Sequence, residues 1–124
     1  MPESRRSPVI DVSRKHLKTR PEWEDGLRSG RKTIDARVVA DDIANLSVGR
    51  IVRYRGARAR VRHMRFYHSF RDLLANEDWR KIAPDAAGRD DVLQLLEEGC
   101  GETVRETGAV AIELEPIENQ SRSV

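Results

Sequence analysis

"SGRKTIDARVV", residues 29–39, is the stretch on which the rest of the chain turns. Gly30 ends whatever precedes it, and a β-prone run then carries Lys32, Asp35 and Arg37 among its apolar residues. A strand buried on one face should alternate apolar and polar positions. Here the charges do not alternate cleanly. The segment is either an ordinary edge strand or one whose charged side chains line something.

Working outward, "PEWEDGLRSG" reads as a short helix, with Pro21 in its first turn, Gly30 as its C-cap and Gly26 weakening its middle. "KTIDARVV" follows as a strand and "DDIANLSVG" as a loop ending in a turn. "RIVRYR" and "RARVRHMRF" are two strands joined at Gly56–Ala57, with glycine in the first central position of a type II′ hairpin turn. That register sets Arg55 opposite Arg58, Arg53 opposite Arg60 and Ile51 opposite Arg62. Arg53, Arg55, Arg58, Arg60 and Arg62 then share one face, and Val52, Tyr54, Ala59 and Val61 the other.

Further on, Ser69 followed by Asp72 resembles a capping box. Phe70, Leu73 and Leu74 keep helical spacing, Trp79 or Ile82 could extend the stripe, and Pro84 stops it. "GRDDVLQLLEEGCG" is a second short helix ending near Gly99. "TGAVAIELEPI" is the clearest half-buried strand, closed by Pro116.

Composition sets the bounds. A chain of 124 residues suits one domain with a modest core, and 35% charged residues make it polar without making it disordered. The domain is expected over residues 15–117, between flexible tails at 1–14 and 118–124. No apolar run approaches the roughly 18 residues of a membrane span, and no leader is evident, so a cytoplasmic location and no membrane partner are expected. A single cysteine, Cys100, excludes an internal disulfide and a multi-cysteine zinc site. His16, His63 and His68 lack ligand spacing, so neither a metal nor a cofactor is expected.

Charge is distributed unevenly. Residues 50–65 hold seven arginines and no acid, whereas residues 66–124 carry thirteen acids against six bases. A concentrated basic patch on a chain of net charge +2 is the footprint of a phosphate-bearing partner, unless it is a solvated face. Like charges directly opposite one another destabilise a sheet, so an acid from elsewhere or an anionic ligand should offset them. Tyr54 and Tyr67 could stack on bases if they face the cleft.

Taken in order, four segments resemble the ASCH domain family, a branch of the PUA-like superfamily. "GRKTIDAR" resembles its G-x-K-x-x-[ED]-x-R signature through Gly30, Lys32, Asp35 and Arg37. "LSVGRIVRY" is similar to its turn and strand, with Arg50 in place of the usual acid. "YHSFRDLLANEDWRKIAPD" resembles its helix and "GAVAIEL" its closing strand.

The resemblance implies an α+β fold: a small PUA-like β-barrel of about five to six strands with two to three short helices packed around it. It implies a basic cleft, built around the signature, that binds RNA or a nucleoside through Lys32 and Arg37, with the arginines of the hairpin nearby. Some small relatives are similar to hydrolases that deacetylate N4-acetylcytidine with a lysine and a threonine of the signature and a glutamate of the next helix. Lys32 and Glu77 match two of these, and Asp35 stands in the threonine's place. Other relatives are similar to ribonucleases.

Two functions therefore remain open, a binding module and a metal-independent hydrolase. In a hydrolase Lys32 would act as base or hold the oxyanion, Glu77 would donate a proton to the leaving amine, and Asp35 would orient water. In a binding module Asp35 would pair with Lys32 or Arg37.

Overall fold

The computed structural model describes residues 14–17, 19–39, 43, 46–100 and 108–117. The expected tails lie outside these residues apart from Arg14, as do Asp41, Asp42, Ala44 and Asn45 of the loop expected over "DDIANLSVG". In chain order the elements are β1 (Arg14–His16), α1 (Pro21–Ser29), β2 (Ile34–Val38), β3 (Ile51–Tyr54), β4 (Ala57–Tyr67), α2 (Phe70–Asn76), α3 (Trp79–Ile82), α4 (Arg89–Cys100) and β5 (Ala109–Pro116).

The strands form one sheet in the order β1-β3-β4-β5-β2. The four longer strands run antiparallel to their neighbours in a curled half-barrel, and the three-residue β1 adds a parallel edge on β3. The mixed α+β class is as expected, but the barrel of five to six strands is not. Among the described residues the sheet proper has four strands plus that short edge, and no pairing joins β1 to β2.

Four helices are present among the described residues, against two to three expected. The stripe from Phe70 to Ile82 breaks because Glu77 takes an extended C-cap conformation and Asp78 caps a new turn, its Oδ1 accepting from Arg80 N at 3.0 Å. Ser69 does cap α2, its Oγ accepting from Asp72 N at 3.1 Å. Gly30 closes α1 in the left-handed conformation.

Two apolar clusters lie on the two faces of the sheet. Outside the curl, Ile34, Ala36 and Val38 of β2 and Ala109 and Ala111 of β5 pack under Phe70, Leu73 and Leu74 of α2, Ile82 of α3 and Val92 and Leu96 of α4. Inside it, Val52, Tyr54, Ala59, Val61, Val110, Ile112 and Leu114 meet Leu17 and Leu27. β5 is thus buried on both faces from Ala109 to Ile112 rather than half-buried, because strands flank it on both sides and apolar layers cover both its faces.

The hairpin turn differs from expectation by a defined amount. Arg53 pairs with Arg58 and Ile51 with Arg60, so the loop is Arg55–Gly56, with Gly56 at the second central position and φ 80°. Gly56 supplies the positive φ there at little cost. Relative to the expected register each partner moves by two residues. An even step preserves every face, and Val52, Tyr54, Ala59 and Val61 are indeed buried.

A bulge between Val61 and His63 then resets the alternation of β4. Arg62 falls in the bulge, exposed and without a strand partner, rather than opposite Ile51. Beyond it, His63, Arg65 and Tyr67 join the helix-covered side, opposite Glu113, Ala111 and Ala109.

Candidate nucleic-acid interface

Lys32 precedes β2 and is threaded between α1 and α3. Its N–H donates to Gly26 O at 3.0 Å, and the next residue, Thr33, donates to Lys81 O at 3.0 Å. A Cβ on Gly26 would lie 3.1 Å from Lys32 Cβ, so the glycine that weakens α1 also admits this close approach. The Lys32 side chain is 1% exposed. Its Nζ donates to Ile34 O at 2.7 Å and Ile82 O at 2.6 Å, and sits 4.5 Å from the Trp23 ring centroid. Burial pushes its pKa down to about 8, with Asp35 pulling it up and Arg37 pushing it further down.

Asp35 is equally enclosed, at 2% exposure. It lies opposite Ile112, inside the curl. Its Oδ2 accepts from Arg37 Nε at 2.8 Å and from Tyr54 Oη at 2.6 Å. Burial alone would raise its pKa, but Arg37, Lys32 and the Tyr54 hydrogen bond outweigh that and hold it below the usual carboxylate range. Burial and the Asp35 charge raise Tyr54 well above 10. Since β2 and β3 are separated by β4 and β5 in the sheet, the Tyr54–Asp35 bond spans the curl and ties its two sides together. Tyr54 is enclosed at 3% exposure; its ring is core and offers no stacking face.

Glu77 sits on the other side of the sheet. Arg65 grips it with Nε at 2.7 Å and Nη2 at 2.9 Å while its Nη1 reaches Glu113 at 2.8 Å, and Tyr67 Oη donates to Glu77 as well. Burial would raise Glu77, yet Arg65 and Tyr67 lower it below its ordinary value. Tyr67 is raised by burial and by Glu77, and Arg65 is raised by the Glu77 hydrogen bonds. The structure brings Lys32, Asp35 and Arg37 into one charge-coupled group with Tyr54. It sets Glu77 apart from Asp35, across the sheet.

The hairpin arginines are on the surface. Arg53, Arg55, Arg60 and Arg62 are exposed, and Arg58 is half-exposed. Arg53 and Arg58 stand directly opposite each other on the outer face. Among the described residues Arg53, Arg55, Arg58, Arg60 and Arg62 make no ion pair, although Arg60 Nη1 donates to Gly49 O at 3.2 Å. Glu115 lies opposite Arg60 without a salt bridge to it. No cluster of three His, Cys, Asp or Glu suited to a metal occurs among the described residues, and none of their helices is long and apolar enough to cross a membrane.

No family model matches the sequence, and no curated protein matches it significantly. Solved structures do match. The crystal structure of hypothetical protein PH0355 is 24% identical, covers 82% of this chain and 97% of its own, and superposes with a TM-score of 0.76. The solution structure of protein PF0455 from Pyrococcus furiosus is also 24% identical, covers 83% of this chain and 96% of its own, with a TM-score of 0.71. ASCH from Zymomonas mobilis, a crystal structure, is 16% identical over 89% of this chain and 76% of its own, with a TM-score of 0.53. The fold is that of an ASCH domain.

Within this ASCH fold, sequence reasoning missed Arg65 and Glu113. Arg65 is one of the seven arginines of the basic stretch 50–65, and only the bulge turns it toward Glu77. A charged residue next to a helix-bound carboxylate could have hinted at the pair, but the bulge leaves no sequence signal.

Two outcomes follow from this geometry. Tyr54→Phe and Asp35→Asn should each destabilise the fold and be non-additive, with a coupling of about 1–3 kcal/mol in denaturant titrations of the double-mutant cycle; additive losses would mean the bond closes nothing. For Lys32, a folded pKa of about 8 lies below the ordinary 10.5, so charge burial lowers stability at neutral pH and the penalty fades as pH rises from about 8 to 10.5. Wild type should therefore gain up to about 2 kcal/mol over Lys32→Met between pH 8 and pH 10, tyrosine ionisation being common to both chains. A flat or falling difference would show that the two carbonyls and Trp23 fully compensate the ammonium.

Proposed function

We propose that this protein binds RNA through the outer face of the β3–β4 hairpin, with the ASCH signature serving as its frame. One observation carries the reading: Arg53 and Arg58 face each other in the sheet, exposed to solvent and without an ion pair among the described residues. Facing like charges weaken a strand pair, and a bridging phosphate relieves that repulsion. Arg60, opposite Glu115, extends the row and Arg55 and Arg62 flank it, whereas Glu113 on the same face pairs with Arg65. Arginine suits the task because its planar fork binds phosphate oxygens in pairs.

The contact moves from a cleft around "GRKTIDAR" to the hairpin because Lys32 and Asp35 direct their polar atoms into the interior. The same geometry gives less support to hydrolysis of N4-acetylcytidine or of RNA. Asp35 and Glu77 lie on opposite faces of the sheet, and Glu77 already accepts three hydrogen bonds from Arg65 and Tyr67.

Replacing Arg53, Arg58 and Arg60 together by glutamine should weaken binding of a short single-stranded RNA. It should also reduce the slope of log affinity against log salt by about 2, at roughly 0.7 per lost phosphate contact. An unchanged slope in a salt series followed by fluorescence anisotropy would remove the hairpin from the interface.

A further inference from the structure

A concavity opens beside the arginine row, at the end of the hairpin. Its volume is about 380 Å³, and it is walled by the last turn of α1, the β3–β4 turn and the end of β5. That volume is within the usual range for small-ligand sites. Arg28 and Arg58 supply its charge, while Leu27, Ala57, Pro116 and Ile117 supply its apolar surface.

The walls are held in register by the backbone. Ile117 N donates to Arg58 O at 3.0 Å, which fixes the end of β5 against the start of β4. Arg28 lies across the turn: a Cβ on Gly56 would come within 3.0 Å of its Nη1 and 3.4 Å of its Cδ. Glycine at that position leaves room for the guanidinium beside the pocket. Arg28 Nη2 donates to Asp25 at 3.2 Å in an exposed pair, which leaves other donors of its fork available. The C-terminus of α1 also borders the pocket, and its partial negative charge of about half a unit opposes an anion. Two full positive charges outweigh it.

We infer that this pocket is a nucleotide site, taking a phosphate between Arg28 and Arg58 and a base against Ile117 and Pro116. Two cations beside an apolar wall match a ligand with an anionic end and a flat, weakly polar end. The inference rests on the hairpin being an RNA contact, since Arg58 belongs to both surfaces, but Arg28 belongs to the pocket alone and Arg53 to the arginine row alone. The occupant is either one residue of a bound RNA strand or a free nucleotide, which share this chemistry.

Titration of the full chain with CMP, with cytidine and with a ten-nucleotide single-stranded RNA separates these cases, using wild type, Arg28→Ala and Arg53→Ala. Both arginines are exposed, so the variants are expected to fold, and their circular dichroism spectra check this. CMP should bind wild type at least tenfold more tightly than cytidine does. Arg28→Ala should weaken CMP tenfold or more, and Arg53→Ala less than twofold. RNA should be weakened by both changes if a strand residue fills the pocket. CMP binding that depends on Arg28, without RNA binding, would leave the pocket standing as a free-nucleotide site and remove the RNA reading. RNA binding that responds to Arg53→Ala but not Arg28→Ala, with no CMP binding, would overturn the pocket and keep the hairpin. No binding of CMP or RNA would overturn both.

Discussion

The carboxylate of Asp35, sealed inside the curl of the sheet, is the constraint on which the architecture depends. A buried charge is tolerated only when it is paired and hydrogen-bonded. Asp35 meets that condition through Arg37 on its own strand and Tyr54 on β3, with β4 and β5 between them in the sheet. Removing either partner would leave an underpaired anion in an apolar layer. The requirement therefore fixes how far the half-barrel closes. Lys32 complements it on the helix side, where one ammonium joins the start of β2 to α3 through two carbonyls. The charges that interrupt the strand pattern at residues 32–37 are thus explained by burial and pairing.

Much of this was legible in the sequence because it is local. Pro21 and Gly30 bracket α1, Ser69 caps α2 and Pro116 ends β5, each through the conformation of its own residue. The faces of the hairpin were also legible, since alternation survives a register change of two residues. What was hidden depends on contacts between distant segments. The bulge at Val61/His63, the inward path of Lys32 and the Arg65–Glu77–Glu113 group all follow from how β4, β5 and the helices meet. Nothing in the local spacing of those residues encodes it. The candidate site was legible as a set of charged residues, but not as two sets on opposite faces.

The division of charge follows from the same packing. Acids of the second half of the chain are engaged by partners outside the hairpin row: Glu77 and Glu113 by Arg65, Asp85 by Arg31, Asp78 by Arg80. Among the described residues none of these acids forms an ion pair with the arginines at 53–60, even though the chain as a whole is close to neutral. The exposed pairs among these, Arg31–Asp85 and Arg80–Asp78, contribute little to stability, and the hairpin is left as a concentrated positive field. Such a field raises the encounter rate with a polyanion and is screened by salt. An interior that consumes the signature charges, with an exterior that leaves the hairpin charges without ion pairs among the described residues, fits the proposed role of a frame for a phosphate-binding edge.

Backbone amide shifts recorded during titration with a short single-stranded RNA test this account most directly. The account predicts that the largest changes fall on residues 53–62 of the hairpin, with Lys32, Asp35 and Arg37 little affected. Changes concentrated on residues 32–37, with the hairpin unmoved, would contradict it and return the binding site to the signature segment.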